Sequence, residues 1–224
     1  EVFIIGEETK LKEPGKTHLS SLKALKIPIH ILNKEDDLAE ISKRVSQTDL
    51  ICDAILGTAC NRDVEGVQRA AIELINSSPY ATVYALDVPS GVNSKTGHIC
   101  GAAVRAQKTV CFGGLKRGLL LFPGAEAAGE IVLKDIGFPP CALEEEPTNL
   151  KLLDAEDFSE EKYRPANSHK GTFGTALIVA GSEDMGGAAI LAAKAAYRSG
   201  VGIVRVLSAE KNRTALLANV PEAI

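Results

Sequence analysis

Two aspartates close two apolar runs of similar design. Leu50-Ile51-Cys52-Asp53-Ala54-Ile55-Leu56-Gly57-Thr58 ends its first apolar stretch on Asp53, and Tyr84-Ala85-Leu86-Asp87-Val88-Pro89-Ser90-Gly91-Val92-Asn93 delivers Asp87 into a Pro-Ser-Gly turn. In an open parallel sheet, ligands bind just beyond the carboxyl ends of the strands. Two such strands in one sheet would aim two carboxylates at one crevice. Asp53, the Ser90 hydroxyl and nearby backbone carbonyls offer hard oxygen ligands suited to an alkali or alkaline-earth cation. Asp87 can accept hydrogen bonds from a ribose or exchange a proton with a substrate. Either aspartate alone also fits a plain helix cap or Asx turn; their pairing and the Pro-Ser-Gly turn favour a site.

Weaker signals surround this pair. Gly57-Thr58-Ala59-Cys60-Asn61-Arg62-Asp63 precedes a helix expected to start near Val64. Free backbone N–H groups there, with Arg62 beside them, could hold a phosphate; a loop capped by Asp63 explains the same residues. Lys116, in Gly113-Gly114-Leu115-Lys116-Arg117-Gly118, is either a solvated loop charge or a cation facing the same crevice. Gly181-Ser182-Glu183-Asp184-Met185-Gly186-Gly187 lacks both Gly-Lys-Ser/Thr and the G-x-G-x-x-G spacing, so it is no standard phosphate loop. The alanine-rich helix behind it also reads simply as close packing. His98 and His169 sit near turns without partnered ligand spacing, which points to surface or capping roles.

The elements that must position these residues alternate. Apolar runs at 2–5, 28–32, 50–55, 82–87 and 109–112 read as strands, and 17–25, 37–46 and 64–76 as helices. That alternation predicts an α/β fold, a Rossmann-like three-layer parallel sheet. The stretches 119–122 and 130–133 read as strands with no helix between them, so the sheet is expected to end in a meander. Prolines and an acidic run at 139–147 suggest a linker. Beyond it, strand 175–180, helix 188–199 and strand 202–207 make one βαβ crossover, with Gly200 closing the helix. The expected organisation is a first domain over 1–140, a linker over 141–150 and the start of a second domain over 151–224. A unit of that size with bare strand edges reads as cut short, and Val2 to Ile5 already reads as a core strand, so the natural protein is expected to extend beyond both ends.

Composition narrows the function classes. The 224 residues carry 25 Lys and Arg against 29 Asp and Glu, a net charge of −4, which gives no support for nucleic-acid binding. No apolar run approaches a bilayer span and no signal peptide opens the chain, so no membrane partner is expected. The five cysteines are odd in number and form no C-x-x-C pair. Cys52 and Cys111 read as small buried hydrophobes, and reduced thiols fit a cytoplasmic location.

Taken together, these stretches resemble the bifunctional NAD(P)H-hydrate repair enzymes, in which an epimerase domain is fused to an ADP- or ATP-dependent dehydratase. The epimerase resemblance rests on Asp53-Ala54-Ile55-Leu56-Gly57-Thr58, on Leu86-Asp87-Val88-Pro89-Ser90-Gly91 with Thr96-Gly97, and on Thr109-Val110-Cys111-Phe112-Gly113 leading to Lys116 and Gly118. Asp135-Ile136-Gly137-Phe138-Pro139 looks like that domain's closing strand. The dehydratase resemblance rests on Ser168-His169-Lys170-Gly171-Thr172-Phe173-Gly174, Ala180-Gly181-Ser182, Gly187-Ala188-Ala189-Ile190-Leu191-Ala192-Ala193, Arg198-Ser199-Gly200-Val201-Gly202 and Pro221-Glu222.

The resemblance implies epimerisation of R and S NADH or NADPH hydrated at C6 of the nicotinamide ring. It also implies a potassium ion held by Asp53 and Ser90, dinucleotide contacts from Gly57 through Asp63, and Asp87 as the acid/base at the substrate. Lys116 matches a family lysine and is taken as a second catalytic candidate. For the ribokinase-like dehydratase, driven by ADP or ATP, Ala188 matches a hydrate-contacting position. The family's Asn-Asn-Gly-Gly-Asp-Gly stretch and the dehydratase's later Gly-Asp segment do not occur in this sequence, so it reads as an internal fragment with both sites incomplete. Bare strand edges lead us to expect a homo-oligomer. Two alternatives stand beside this reading. One is a non-catalytic dimerisation scaffold with the epimerase fold, as in mRNA-decapping relatives; the other is a small-molecule kinase of the ribokinase class.

Overall fold

The computed structural model describes residues 1–139, 141–142, 150–155, 157 and 163–224. The chain divides into two units, Glu1–Thr148 and Asn149–Ile224. Most of the stretch expected as a linker lies outside the described residues.

In the first unit, every strand pair is parallel. β1 (Val2–Ile5) pairs with β2 (Ile29–Leu32). β3 (Leu50–Asp53), β4 (Thr82–Leu86), β5 (Lys108–Phe112) and β6 (Glu130–Lys134) form a four-stranded sheet in that order. The helices are α1 (Gly15–Ala24), α2 (Glu35–Ser46), α3 (Gly66–Asn76) and the short α4 (Gly124–Ala128). Parallel neighbours need crossover connections, and α1, α3 and α4 supply them between β1 and β2, β3 and β4, and β5 and β6. The β4–β5 connection has no helix; its only ladder is one antiparallel bridge between Val92 and Ile99.

Local chemistry explains the helix boundaries. α2 opens with Glu35, Asp36 and Asp37 and closes with Lys43 and Arg44, matching the helix dipole at both ends. The Asp37 carboxylate accepts the amides of Asn33 (2.7 Å) and Lys34 (3.0 Å), and these donors hold its pKa below the ordinary value. α3 turns Ala71 and Ile72 inward. Ile72, fully buried, packs with Val83, Ala85 and Val104 against the sheet. Burying a side chain of that size contributes about 2–3 kcal/mol. A second cluster joins Val88, Val92, Cys111, Leu119, Ala127 and Ala128 beneath the strand ends.

Four expectations change. Residues 119–122 form no strand: a 3-10 turn over Arg117–Leu119 leads through Pro123 into α4. The run is apolar because Leu119 is a core side chain with no exposure, and a single buried anchor does not make an edge strand. Since α4 then intervenes, β6 joins β5 in parallel and the sheet does not end in a meander. Residues 135–139 add no strand, because β6 already ends at Lys134. Finally, Cys111 is buried as expected but Cys52 is exposed, since β3 is an edge strand of its sheet.

In the second unit β7 (Thr175–Val179) and β8 (Ile203–Leu207) pair in parallel across α5 (Gly186–Arg198), and α6 (Arg213–Asn219) follows. Ala189 and Ala193 of α5 are fully buried. These short side chains let the helix axis approach the two strands, with Val204 and Val220 completing the cluster. Gly200 takes φ +94 just after the helix, a conformation that L side chains rarely adopt.

Candidate functional site

The carboxyl ends of β3 and β4 form one crest. The register pairs Asp53 with Ala85, so Asp87 lies two residues further along its own strand. Asp53 is 1% exposed and Ser90 not at all. The Ser90 hydroxyl donates to Asp53 Oδ1 at 2.6 Å, and the Ser90 amide donates to Oδ2 at 2.8 Å. Ile55 N adds a third donor to Oδ1 at 3.2 Å. The same hydroxyl accepts the Leu56 amide at 2.8 Å and lies 3.3 Å from the Leu56 carbonyl oxygen. Burial pushes the Asp53 pKa above its ordinary value, and the hydrogen bonds from Ser90 and Ile55 act against that rise. No cationic side chain forms an ion pair with this carboxylate among the described residues. The donors here are carboxylate, hydroxyl and carbonyl oxygens, which fit a potassium ion in hardness and charge.

The expected substrate loop is fastened to the segment after Ser90. Ser94 Oγ donates to the Thr58 carbonyl at 3.0 Å, and Asn93 Nδ2 to the Cys60 carbonyl at 3.1 Å. Asn93 Oδ1 in turn accepts the amides of Lys95 and Thr96, both at 3.0 Å. Gly91 holds φ +90, and a Cβ there would lie 1.9 Å from the Ala102 carbonyl oxygen. Only glycine lets the backbone at residue 91 approach that at residue 102 so closely. Asn93 and Ser94 carry this arrangement and were not selected from sequence, although Asn93, four residues ahead of Gly97, has the pattern of an Asx turn.

Within the loop, Gly57, Thr58, Ala59, Asn61, Arg62 and Asp63 are exposed, while Cys60 is buried. The Cys60 side chain belongs to the core beside Cys100, so only its backbone can face the crest. The Cys100 thiol is pushed up to about 11, first by burial and then by Cys60. The helix beyond the loop begins later than expected, at Gly66 with Glu65 as its N-cap. Asp63 therefore caps nothing. The loop runs two residues further because Gly66, at φ +56, makes the turn into the helix.

Asp87 has different surroundings. Its backbone takes φ +69, a left-handed conformation tolerated by aspartate but uncommon outside glycine. Its amide donates to Val110 O at 2.8 Å, fixing it beside β5. Oδ1 accepts the Phe112 amide at 3.1 Å and an ion pair from Lys116 Nζ. Lys116 also donates to Phe112 O at 2.7 Å and approaches Cys111 Sγ at 3.6 Å. The two side chains keep 27% (Asp87) and 20% (Lys116) exposure, and Asp87 Oδ2 has no protein partner among the described residues. The structure thus joins Asp53 with Ser90, Asp87 with Lys116, and the 57–63 loop with Asn93 and Ser94.

The sequence as a whole has known relatives. The family described as YjeF-related protein N-terminus matches residues 1–118, more than half of the chain. The chain belongs to this family. A second family, NAD(P)H-hydrate dehydratase, matches residues 176–224. The bifunctional NAD(P)H-hydrate repair enzyme Nnr of Thermofilum pendens is 34% identical over 223 residues, covering 100% of this chain and 42% of the relative. The proteins of the same name from Methanothermobacter thermautotrophicus and Salinibacter ruber are 39% and 40% identical, covering 84% and 72% of this chain and 34% and 30% of their own lengths. The chain thus spans less than half the length of the curated relatives it matches. The dehydratase match falls within the second unit. Its Ala188 is exposed on the first turn of α5.

The loop ahead of α5 is held from below by a residue that sequence did not single out. Asn212 Nδ2 donates to Gly181 O (3.1 Å), Ser182 O (3.0 Å) and Ser208 Oγ (2.9 Å). A Cβ on Gly186 would meet Asn212 Oδ1 at 2.4 Å. His169 is a helix cap, as expected, its Nδ1 accepting the Gly171 amide at 3.1 Å.

Proposed function

We propose that the first unit is a NAD(P)H-hydrate epimerase, interconverting the R and S hydrates of NADH or NADPH. The observation that carries this reading is Asp87, held at a strand end with one oxygen on Lys116 and the other open. Epimerisation at C6 requires the hydroxyl to leave as water and return on the opposite face. The Lys116 ammonium can pass a proton through Asp87 to the departing hydroxyl, and Asp87 can return one from the water that re-adds to Lys116, leaving the proton count unchanged. Lys116 also orients the carboxylate through Oδ1. The exposed loop residues Gly57, Thr58, Ala59, Asn61, Arg62 and Asp63 and the Cys60 backbone would contact the dinucleotide. Asp53 and Ser90 would hold potassium, which supplies positive charge near the phosphates and orders the two loops.

In the longer protein, the second unit would contribute to ADP- or ATP-dependent dehydration of the S hydrate, with Ala188 at the hydrate. The 181–187 loop is fastened to Asn212 and lacks the glycine spacing of a phosphate loop, so the nucleotide is not assigned to it. Among the described residues no helix is long and apolar enough to cross a membrane. A cytoplasmic enzyme with free thiols, no nucleic-acid partner and a homo-oligomeric state accords with this reading.

Chromatography of R and S hydrates tests it. The chain should accelerate equilibration of R-NADH hydrate in potassium buffer, and Asp87→Ala should abolish the acceleration. If neither this chain nor a longer natural form accelerates it, the dimerisation scaffold becomes the better account.

A further inference from the structure

Lys116 is held by partners of unlike chemistry. Along β5 burial alternates, so Thr109 and Cys111 point to one face, and Cys111 has no exposure. Gly113, at φ +72, then folds the chain back, and the Gly114 amide donates to Phe112 O at 2.8 Å. This tight turn lays the Gly114 carbonyl 3.2 Å from Cys111 Sγ, where it accepts the thiol hydrogen. It also returns the Lys116 side chain over the end of β5. Lys116 Nζ donates to Asp87 Oδ1, to Phe112 O at 2.7 Å and to Cys111 Sγ at 3.6 Å.

An ammonium carries three hydrogens and no acceptor site, so these three acceptors satisfy the charged lysine. The free amine has other needs. It keeps two hydrogens and gains a lone pair, which costs free energy if it meets no donor in a side chain only 20% exposed. While Asp87 holds the proton, it donates to that lone pair itself. Once Asp87 has given the proton to the departing hydroxyl, it is a carboxylate again and only accepts. The Phe112 carbonyl only accepts as well. Of the three partners, the Cys111 thiol alone both accepts and donates. Rotation about its Cβ–Sγ bond carries its hydrogen from Gly114 O to Nζ and leaves the amine hydrogens for Asp87 and Phe112.

We propose that Cys111 is a positioning residue of the epimerase site, its thiol swinging from acceptor to donor as Lys116 passes from ammonium to amine and back. No bond to sulfur forms or breaks, and the thiol keeps its proton throughout. The inference rests on the proton relay proposed for Asp87 and Lys116. It also gives the buried thiol a task beyond packing. Because Cys111 has no exposure, water does not stand in for it on that side of Nζ.

Cys111→Ala and Cys111→Ser leave side chains of nearly the same size that differ by one hydroxyl, which donates and accepts as the thiol does. Cys111→Ala should lower kcat for equilibration of R-NADH hydrate about tenfold while KM moves by less than about twofold, the pattern of an interaction made only in the chemical step. Cys111→Ser should restore kcat to within about threefold of the parent. In a Lys116→Met background, Cys111→Ala should change nothing further, because the thiol acts through the lysine. Cys111→Val and Cys111→Thr serve as the same pair if the smaller side chains do not fold. Equal losses in both members of a pair, an Ala variant as fast as the parent, or a further loss in the Lys116→Met background would each overturn the inference. A second readout needs no turnover and so separates this inference from the activity it rests on. The infrared S–H band of Cys111, taken as parent minus Cys111→Ala, should move to lower frequency as Lys116 Nζ loses its proton, followed by its nitrogen-15 resonance in the same titration. A band that stays in place, or is lost before Nζ titrates, overturns the inference; a shifted band in a chain that does not epimerise upholds the thiol switch and counts against the activity alone.

Discussion

Ser90→Ala probes the Asp53 cluster with the least collateral change. The substitution deletes one oxygen and no backbone group, so the Ser90 amide still reaches Asp53 Oδ2. Two interactions go: the 2.6 Å donation to Asp53 Oδ1 and the acceptor for Leu56 N at 2.8 Å. A hydrogen bond to a charged group contributes about 1.5–3 kcal/mol, and a buried amide left without a partner costs about 1–3 kcal/mol. A loss near 3 kcal/mol is expected, which lowers Tm by about 6–12 °C in a domain of this size. The pH dependence adds a sign. Burial raises the Asp53 pKa, so between the ordinary value of 3.8 and the raised one the folded state binds more protons than the unfolded state. Stability from this group is therefore greatest below 3.8 and falls as pH rises through the folded pKa. Removing the Ser90 hydroxyl takes away a lowering influence, so the variant should lose more stability at neutral pH than at pH 4. Potassium should offset the loss in the parent at neutral pH, where the carboxylate is charged, and much less in the variant. Thermal denaturation from pH 4 to 8, in potassium and in tetramethylammonium salts, measures all three. A loss below 1 kcal/mol with no pH dependence would refute the coupling of Asp53 to Ser90.

Lys116→Met removes the cation on Asp87 Oδ1; we expect hydrate epimerisation to slow at least a hundredfold while chemical denaturation shows a loss of only about 1.5–3 kcal/mol, the range for a hydrogen bond to a charged group in a pair that is 20–27% exposed. Gly91→Ala puts a Cβ 1.9 Å from the Ala102 oxygen at φ +90, so urea titration should show a loss of about 3 kcal/mol or more from overpacking and backbone strain. Asn212→Ala frees the Gly181 and Ser182 carbonyls and should cost about 2 kcal/mol, with faster hydrogen exchange confined to residues 181–187 and their contacts.

Strand and helix positions were legible because apolar periodicity is a local property. The first four strands and α1 to α3 lie within a few residues of their expected bounds. What failed was non-local. Residues 119–122 look like a strand because Leu119, Leu120, Leu121 and Phe122 are all apolar, yet only Leu119 is fully buried and Phe122 is 80% exposed. No pattern within the run distinguishes one anchor from a paired strand. Cys52 failed for a related reason: its sequence neighbourhood is apolar, but burial depends on whether another strand lies beside β3. Asp53 and Ser90 were legible as a pair from their turn context, whereas Asn93, Ser94 and Asn212 were not. Their side chains act on backbone carbonyls about 30 residues away, and such contacts leave no spacing signature.

The two aspartates separate by environment rather than by position. They sit at neighbouring strand ends, and their different partners set their chemistry. Asp53 is buried on the β3–loop side, where Ser90 and Ile55 supply neutral donors to its carboxylate. A carboxylate in that setting is suited to holding a cation, because burial penalises its charge until a counter-ion arrives. Asp87, displaced by its left-handed backbone toward β5, meets a cation already in the protein and keeps one oxygen open. It can exchange a proton without leaving a buried charge uncompensated. Carboxylates placed in contrasting surroundings take contrasting roles. On that ground Asp53→Asn should abolish potassium-dependent stabilisation yet keep residual epimerisation, while Asp87→Asn should keep the stabilisation and lose epimerisation. If instead both variants lost both properties to the same degree, the crest would behave as one structural network and the division of labour would be wrong.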